Sequence, residues 1–498
     1  MKGQKMAFPD WVEKHRKPGY EIKCNKGNYY YYRLESRWDK ERKKPVKKTG
    51  EYLGSIKPWG FVPKSAKAKT TTQYVNKEYG ATAWLRALSV DILEMLRREF
   101  EEYLADSLYV LTLLRVKGEP TFKRAEHEYV TTYLSEIIPG LNLSGPKITS
   151  LIHEAGGYRI KMVRIMDALS GSMKNVIIDG TRVTSFSREM SLAQVGHGHG
   201  GNWDPQVNVM YVFACDELPQ PVFYRCVYGN IPDVSAMKLT IDSMTRGGDI
   251  TVIGDTGFGS DTNFQLLHGH GMKYIIPLKR NTSEVTKEEL TARDNFSIAF
   301  TYNKRPITAY ESQRDNYRIF VFRDESMRSE EMADFIARLE KNNAEIHEAK
   351  EKTRKVKKAE EEPVDIGGLT IDADPTFGTI VIRTNAGGAA EEVYKAYKLR
   401  SNVEQCFDTL KNTLQQDHSY MQSSDAFETW CFINHLALVV SYRVLSAIKR
   451  AGLTNRYSLK DAMTFLSRIE KIKIGDSWLT TEYTEQAKTF CSKLGLSL

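Results

Sequence analysis

Hydrophobic positions along the chain fall into three regimes. Up to residue 56 they alternate or gather in short aromatic blocks. The runs 29–34 and 51–56 are strand-like and flank a charged turn containing Pro45. Residues 57–71, rich in Pro, Gly and Lys, read as a linker. From 72 to about 169 the spacing becomes helical. Within 83–100 the apolar positions 84, 85, 88, 90, 92, 93, 95 and 96 form a stripe near the helical period. Short helices are predicted over 108–116, 123–138, 145–154 and 158–169, with Pro146 suited to a first turn.

At residue 175 the pattern changes again. Three β runs (176–183, 207–214 and 221–228) are followed by a helix (234–244), a buried strand (250–254), a helix (260–267) and a strand (274–278). The order β-β-β-α-β-α-β predicts a mixed α/β domain. Between 279 and 378 the regularity is lost. Strands are predicted at 297–302 and 318–322 and a charged helix at 332–358, so the block reads as an insertion. The α/β pattern resumes at 379–383. One long helix is expected over 389–414, an apolar helix over 426–449, and helix to the end. Six segments result: 1–71 basic and β-rich, 72–169 helical, 170–278 the first part of an α/β core, 279–378 the insertion, 379–445 the second part of the core, and 446–498 a C-terminal helical region.

Composition narrows the class. The chain has 498 residues, 41% hydrophobic and 27% charged, which is enough to bury several cores and excludes disorder as the main state. No apolar run approaches the ~18–20 residues of a membrane span. The longest, 432–442, contains Asn434 and His435. The first residues show no signal-peptide core, so a cytoplasmic protein is expected. Six scattered cysteines without a Cys-x2-Cys pair argue against a disulfide framework or a zinc ribbon.

Charge is uneven. The net charge is +8, yet residues 1–70 carry +12 and the remainder −4. The basic residues Arg33, Arg37, Lys40, Arg42, Lys43, Lys44, Lys47 and Lys48 sit beside Tyr29, Tyr30, Tyr31, Tyr32 and Trp38. Cations neutralise phosphates and aromatic rings stack or pack on sugars, so this end is a candidate nucleic-acid surface. The plainer alternative is a solvated basic face.

Two acids are hard to explain by structure alone. Asp179 interrupts the apolar strand Val176-Ile-Ile-Asp-Gly, and Asp255 ends Thr251-Val-Ile-Gly-Asp. A buried carboxylate costs several kcal/mol unless a cation meets it, and acids at strand ends of an α/β sheet often face a site. Either could instead cap a turn. A third element joins them: Tyr397, Arg400, Glu404 and Lys411 lie on one predicted helix at offsets of 3, 7 and 14, within about 60° of one face. An ordinary polar face, with Arg400 and Glu404 paired at i,i+4, is the alternative.

The spacing Tyr-x2-Arg-x3-Glu-x6-Lys, together with Asp179 in Ile-Asp-Gly-Thr and Asp255 in Ile-Gly-Asp-Thr-Gly, resembles one branch of the DDE transposases of bacterial insertion sequences. The resemblance covers about residues 174–440. It implies an RNase H-like catalytic core interrupted by a β-rich insertion, which accounts for the 149 residues from Asp255 to Glu404. It implies Asp179, Asp255 and Glu404 as catalytic ligands of two Mg²⁺ ions, with Mn²⁺ as a substitute. Such a pair, ~3.5–4 Å apart, activates an attacking oxygen and stabilises a leaving one. Arg400 would grip a phosphate, Lys411 would approach the DNA backbone, and Tyr397 would pack near a phosphate. The activity implied is binding of terminal inverted repeats, cleavage and strand transfer into target DNA, by cut-and-paste, with a DNA hairpin as one route. The helical segment 72–169, which shows no strong helix-turn-helix motif, is expected to add sequence recognition, with a packing role as the alternative. A homodimer on double-stranded DNA, with no membrane, is the expected assembly, in a bacterial or archaeal cytoplasm at the nucleoid. Alternatives are a non-catalytic transposase-derived regulator or a stand-alone metal-dependent nuclease.

Hairpin chemistry would call for an aromatic in the insertion that stacks a displaced base. No Trp lies between Trp203 and Trp430, which leaves Phe296, Phe300, Tyr302, Tyr310 and Tyr317. Two further motifs read differently. His197 and His199 in Gly196-His-Gly-His-Gly-Gly suit a hydrogen-bonding loop better than a metal pair. Gly254-Asp-Thr-Gly-Phe-Gly lacks the Gly-Lys-Ser/Thr of a phosphate loop, which excludes nucleotide binding there.

Overall fold

A computed structural model describes residues 8–39, 43–64, 74–118, 121–171, 174–197, 203–215, 219–244, 249–291, 296–351, 361–366, 374–414 and 416–496. Contacts divide the chain into two units: 1–76 with 471–481, and the rest.

The first unit holds a short helix α1 (Asp10–Glu13) and an antiparallel sheet of β1 (Tyr20–Asn25), β2 (Asn28–Asp39), β3 (Lys44–Lys57) and β4 (Gly60–Pro63), in that order. Alternation along β2 splits the four tyrosines. Tyr29 and Tyr31 meet Phe8, Trp11 and Tyr20 around buried Val12 and Ile56, while Tyr30 and Tyr32 meet Tyr52 on the opposite face. Gly54 is required by packing, because a Cβ there would lie 2.2 Å from the Val62 carbonyl oxygen at a φ of +153°. A second sheet is formed by β5 (Tyr74–Glu78), β17 (Glu470–Ile474) and β18 (Ser477–Thr480), in the order β18-β17-β5; all but Lys77, Glu78 and Glu470 of it belong to the first unit. The C-terminal region was expected to be helical throughout, but residues 470–480 form a hairpin. Ile472 and Ile474 alternate with lysines, and Gly475 turns the chain at φ +61°.

The second unit begins with α2 (Gly80–Ala87), α3 (Val90–Glu99), α4 (Glu102–Val116), α5 (Ala125–Thr131), α6 (Leu134–Ile137), α7 (Gly145–Gly156) and α8 (Arg159–Leu169). These helices share one apolar core with the sheet that follows. That sheet contains β6 (Asn175–Ser185), β7 (Gln194–His197), β8 (Trp203–Cys215), β9 (Pro219–Tyr228), β10 (Thr251–Ile253) and β11 (Lys273–Leu278), with α9 (Asp233–Ser243) and α10 (Asp261–Gly269) as crossovers. Its central order is β9-β8-β6-β10-β11. β8 runs antiparallel to β6 and β9, while β10 runs parallel to β6 and β11. This is an RNase H-like α/β arrangement, as expected.

The insertion does not stand apart from that sheet. After α11 (Lys287–Thr291), strands β12 (Ile298–Tyr302), β13 (Arg305–Gln313) and β14 (Arg318–Asp324) extend it through β15 (Thr379–Thr384), which pairs with β14 on one side and β11 on the other. α12 (Glu325–Glu351) carries the charged stretch.

The single helix expected over 389–414 is broken. α13 (Ala390–Lys398) is followed by a bend, α14 (Ser401–Asp408) and a π-turn over Thr409–Thr413. At the bend, Arg400 N–H donates to the Tyr397 carbonyl (3.1 Å) and Val403 N–H to the Arg400 carbonyl (2.9 Å), so the helix tightens to i→i−3 bonding. The π-turn then adds a residue, and the one-face arithmetic for Tyr397, Arg400, Glu404 and Lys411 does not hold. Next come β16 (His418–Ser419), α15 (Ser424–Arg450), α16 (Leu459–Leu466) and α17 (Glu485–Lys493). Among the described residues only α15 is long and apolar enough to cross a membrane, and 78% of its apolar window is buried inside the protein. The expected 432–442 run is therefore part of a 27-residue core helix. Arg115 of α4, itself buried, donates to Asn434 Oδ1 of α15 (2.9 Å) and to the Leu414 carbonyl beyond the π-turn, tying the helical layer to the site.

Candidate active site

Parallel pairing sets the two aspartates level. Ile177 of β6 is in register with Ile253 of β10, and each acid follows two residues later. Asp179 Oδ1 accepts the Gly180 N–H at 2.8 Å. Asp255 Oδ1 accepts the Thr256 N–H at 2.7 Å and caps the 3-10 turn Thr256–Phe258. The remaining oxygens face one cation. Arg400 Nη2 lies 3.1 Å from Asp255 Oδ2 and 3.8 Å from Asp179 Oδ2.

Electrostatics follow from that geometry. Burial pushes Asp179 up to about 6, against the opposing pull of Arg400 and the Gly180 N–H; nearby Asp255 and Asp233 raise it further. Burial also raises the Tyr397 phenol, and the adjacent Arg400 guanidinium opposes the rise. A cleft of about 230 Å³ opens over the acids, lined by Asp179, Thr181, Arg182, Asn208, Asp233, Asp255, Phe407 and Lys411 among others.

The structure thus brings together Asp179, Asp255, Arg400, Tyr397 and Lys411. Glu404 is not with them. It is exposed in the first turn of α14 and does not line the cleft. Among the described residues no three His, Cys, Asp or Glu side chains are grouped to hold a metal ion. Two converging carboxylates are a suitable oxygen donor set for a hard divalent ion, and they already meet one cationic group in Arg400. Asp233 escaped the sequence reading. It opens α9 beside the cleft, and Pro232-Asp233 at a helix start is an ordinary capping signal that points to no site.

At the basic end, Arg33 and Arg37 lie on β2 and Lys44 opens β3, with Lys43 in the turn before it at φ 45°. Arg33, Lys43 and Lys44 are exposed. Lys40 and Arg42 lie outside the described residues, as does His199; His197 ends β7. Of the insertion aromatics, Phe300 and Tyr302 pack on Tyr394 with ring centroids 5.5 and 5.4 Å apart, and Phe296 and Tyr310 pack against the core. Tyr317 differs. Its ring covers the Arg383 guanidinium at 3.8 Å, opposite Phe264 at 4.0 Å, in a separate cavity of about 790 Å³ beside α10.

Comparison with known proteins adds the following. A family profile described as "Transposase DDE domain" matches residues 170–440. No curated protein matches the chain. Among solved structures, a match is the piggyBac transposase synaptic complex with hairpin DNA, determined by cryo-EM. It is 9% identical, with 78% of this chain and 79% of that chain covered and a TM-score of 0.41.

Proposed function

Because the chain belongs to the transposase DDE domain family, we propose that it is a DNA transposase of the insertion-sequence branch, which binds terminal inverted repeats and performs metal-dependent strand cleavage and transfer. The observation that carries this reading is the convergence of Asp179 and Asp255 on a single guanidinium. Two carboxylates on adjacent parallel strands, level with each other and open to a cleft, suit cation-assisted phosphodiester chemistry.

Asp179 and Asp255 would hold Mg²⁺, with Glu404 as the further ligand; the ions supply Lewis-acid activation of the attacking oxygen and stabilisation of the leaving one. Arg400 would exchange the carboxylates for a DNA phosphate, which its planar fork can grip bidentately. Lys411 would place its charge along the backbone from the cleft wall. Tyr397 would support Arg400 from α13. Glu404 would reach the acids by rotation of α14, which is bounded by a 3-10-like bend and a π-turn rather than by continuous helix. Basic residues Arg33, Arg37, Lys40, Arg42, Lys43 and Lys44 would supply electrostatic affinity, and two protomers would hold two ends on one DNA complex. If cleavage passes through a hairpin, Tyr317 is the aromatic best placed to stack a displaced base, since it lines an open cavity.

The exposed position of Glu404 favours one second reading, a transposase-derived DNA-binding regulator without catalysis. Incubation of the full chain with labelled transposon-end duplex and Mg²⁺, beside a Ca²⁺ control, separates the two: strand cleavage supports the transposase, and binding without cleavage supports the regulator.

A further inference from the structure

Strands β2 and β3 outrun their neighbours. β1 pairs with β2 only over residues 28–33, and β4 pairs with β3 only over 54–57. From Leu34↔Thr49 to Asp39↔Lys44 the two strands continue without a third strand as a ribbon of six residue pairs, tied at its base by the Leu34 N–H to the Gly19 carbonyl (2.9 Å) and the Thr49 hydroxyl to Glu21 Oε2 (2.6 Å). At about 3.4 Å per residue it extends about 17 Å beyond the sheet. Among the described side chains of the ribbon none is buried. Glu35, Ser36, Lys44, Pro45, Lys47 and Lys48 are exposed, and Trp38 is 62% exposed despite its size. Residues 34–49 contain seven Lys or Arg and three Asp or Glu.

The register distributes that charge. Ser36–Lys47 and Trp38–Pro45 share one face; Glu35–Lys48, Arg37–Val46 and Asp39–Lys44 share the other. Lysines therefore leave the ribbon on both sides, with a bare tryptophan near the tip. An isolated hairpin that buries little apolar surface gains little from folding onto itself, so its aromatic and cationic surface calls for a partner.

We infer that this ribbon, residues 34–39 with 44–49, enters the major groove of duplex DNA. The inference rests on the DNA-binding part of the proposed function and goes further by naming the element and the groove. Two strands about 4.8 Å apart with side chains on both faces fill a groove about 12 Å wide and 8.5 Å deep. The minor groove, about 6 Å wide, is too narrow for them, and the major groove of A-form RNA is narrow and closed to side chains. Lys47 on one face and Lys44 and Lys48 on the other address the two phosphate backbones that wall the groove. Trp38 meets base edges or thymine methyl groups at the floor.

The test uses the full chain and a short random-sequence duplex, with affinity measured by fluorescence anisotropy across a salt series. A variant combining Lys44→Ser, Lys47→Ser and Lys48→Ser is expected to bind more than tenfold more weakly at physiological salt. Its log–log salt slope should be shallower by about 2.7, ~0.9 for each phosphate contact removed. Trp38→Ala should weaken binding with the slope unchanged. Methyl green, a major-groove ligand, should displace the wild type, whereas netropsin, a minor-groove ligand, and duplex RNA should not. Melting temperatures of the variants should stay close to the wild type, since these side chains are exposed. An unchanged slope, displacement by netropsin, or equal competition by RNA would overturn the inference. Cleavage is scored separately at saturating DNA. Ribbon-dependent binding without any Mg²⁺-dependent cleavage would remove the transposase reading and leave this one standing; cleavage with a ribbon that does not matter would do the reverse.

Discussion

Arg400 Nη2 sits 3.1 Å from Asp255 Oδ2 while also within 3.8 Å of Asp179 Oδ2, so one guanidinium is shared by both acids that converge on the cleft. Asp179 is buried enough that its carboxylate is unfavourable without such a partner. A cation that binds the acids must therefore compete with Arg400.

Arg400→Ala is expected to bind Mn²⁺ more tightly in the absence of DNA, by about threefold to tenfold, because the competing charge is gone. The same variant should bind end DNA more weakly, having lost a phosphate partner. Calorimetric or paramagnetic titration with Mn²⁺ alone reads the first effect. Weaker Mn²⁺ binding in the variant would show that Arg400 orders the acids rather than competing for them.

Asp179 should make folding stability depend on pH in the direction opposite to most paired carboxylates. Its folded value of about 6 lies above the ordinary 3.8, so the native state holds more protons than the unfolded chain between those values. Its contribution is favourable at low pH and is lost as pH rises through about 6. The loss is of order 3 kcal/mol at most, from 1.36 kcal/mol per unit. Asp179→Asn should therefore be more stable than the wild type in urea at pH 7, with the gap closing toward pH 4. A gap that does not change with pH would mean that the carboxylate stays solvated.

Glu404→Ala should change stability by less than about 0.5 kcal/mol, because the side chain is exposed. It should nevertheless abolish cleavage if α14 turns Glu404 toward the aspartates on the DNA complex. Undiminished cleavage in this variant would remove Glu404 from the ligand set and leave Asp233, which already lines the cleft, to be tested in its place.

Gly156→Ala should destabilise severely. A Cβ at Gly156 would lie 2.1 Å from the Asp425 carbonyl oxygen, where α7 meets α15, and backbone cannot give way cheaply. The cost should exceed ~2 kcal/mol, as for overpacked cores. Gly145→Ala, at the start of the same helix with nothing within 4 Å, should stay within about 0.5 kcal/mol. Urea midpoints of the pair measure the contrast.

Much of the core was legible because it rests on local pattern. Apolar runs with one acid each placed Asp179 and Asp255 on strands, and the alternation of strand and helix placed those strands side by side. Non-local pairing was not legible. Nothing in residues 298–324 announces that β12, β13 and β14 prolong the core sheet through β15, since register across 60 residues leaves no local trace. The break at Arg400 also lacks a signal: no Pro or Gly lies between 389 and 414, and the i→i−3 bend and π-turn are imposed by packing around buried Val403, Cys406 and Leu410. That break is why Arg400 reaches the acids and Glu404 does not. The C-terminal hairpin was missed: the alternation in Lys471-Ile-Lys-Ile-Gly-Asp is short and lies between helical stretches, so helix was expected there.

The most direct measurement pairs binding and cleavage on one labelled transposon-end duplex for the wild type, Asp179→Ala and Asp255→Ala, in Mg²⁺ and in Ca²⁺. The expected result is Mg²⁺-dependent strand cleavage by the wild type only, with the affinities of all three proteins for the duplex within a few-fold of one another. Cleavage that persists in either variant, or a wild type that binds the end and never cuts it, would contradict the assignment of these two aspartates as the metal-holding centre of a transposase.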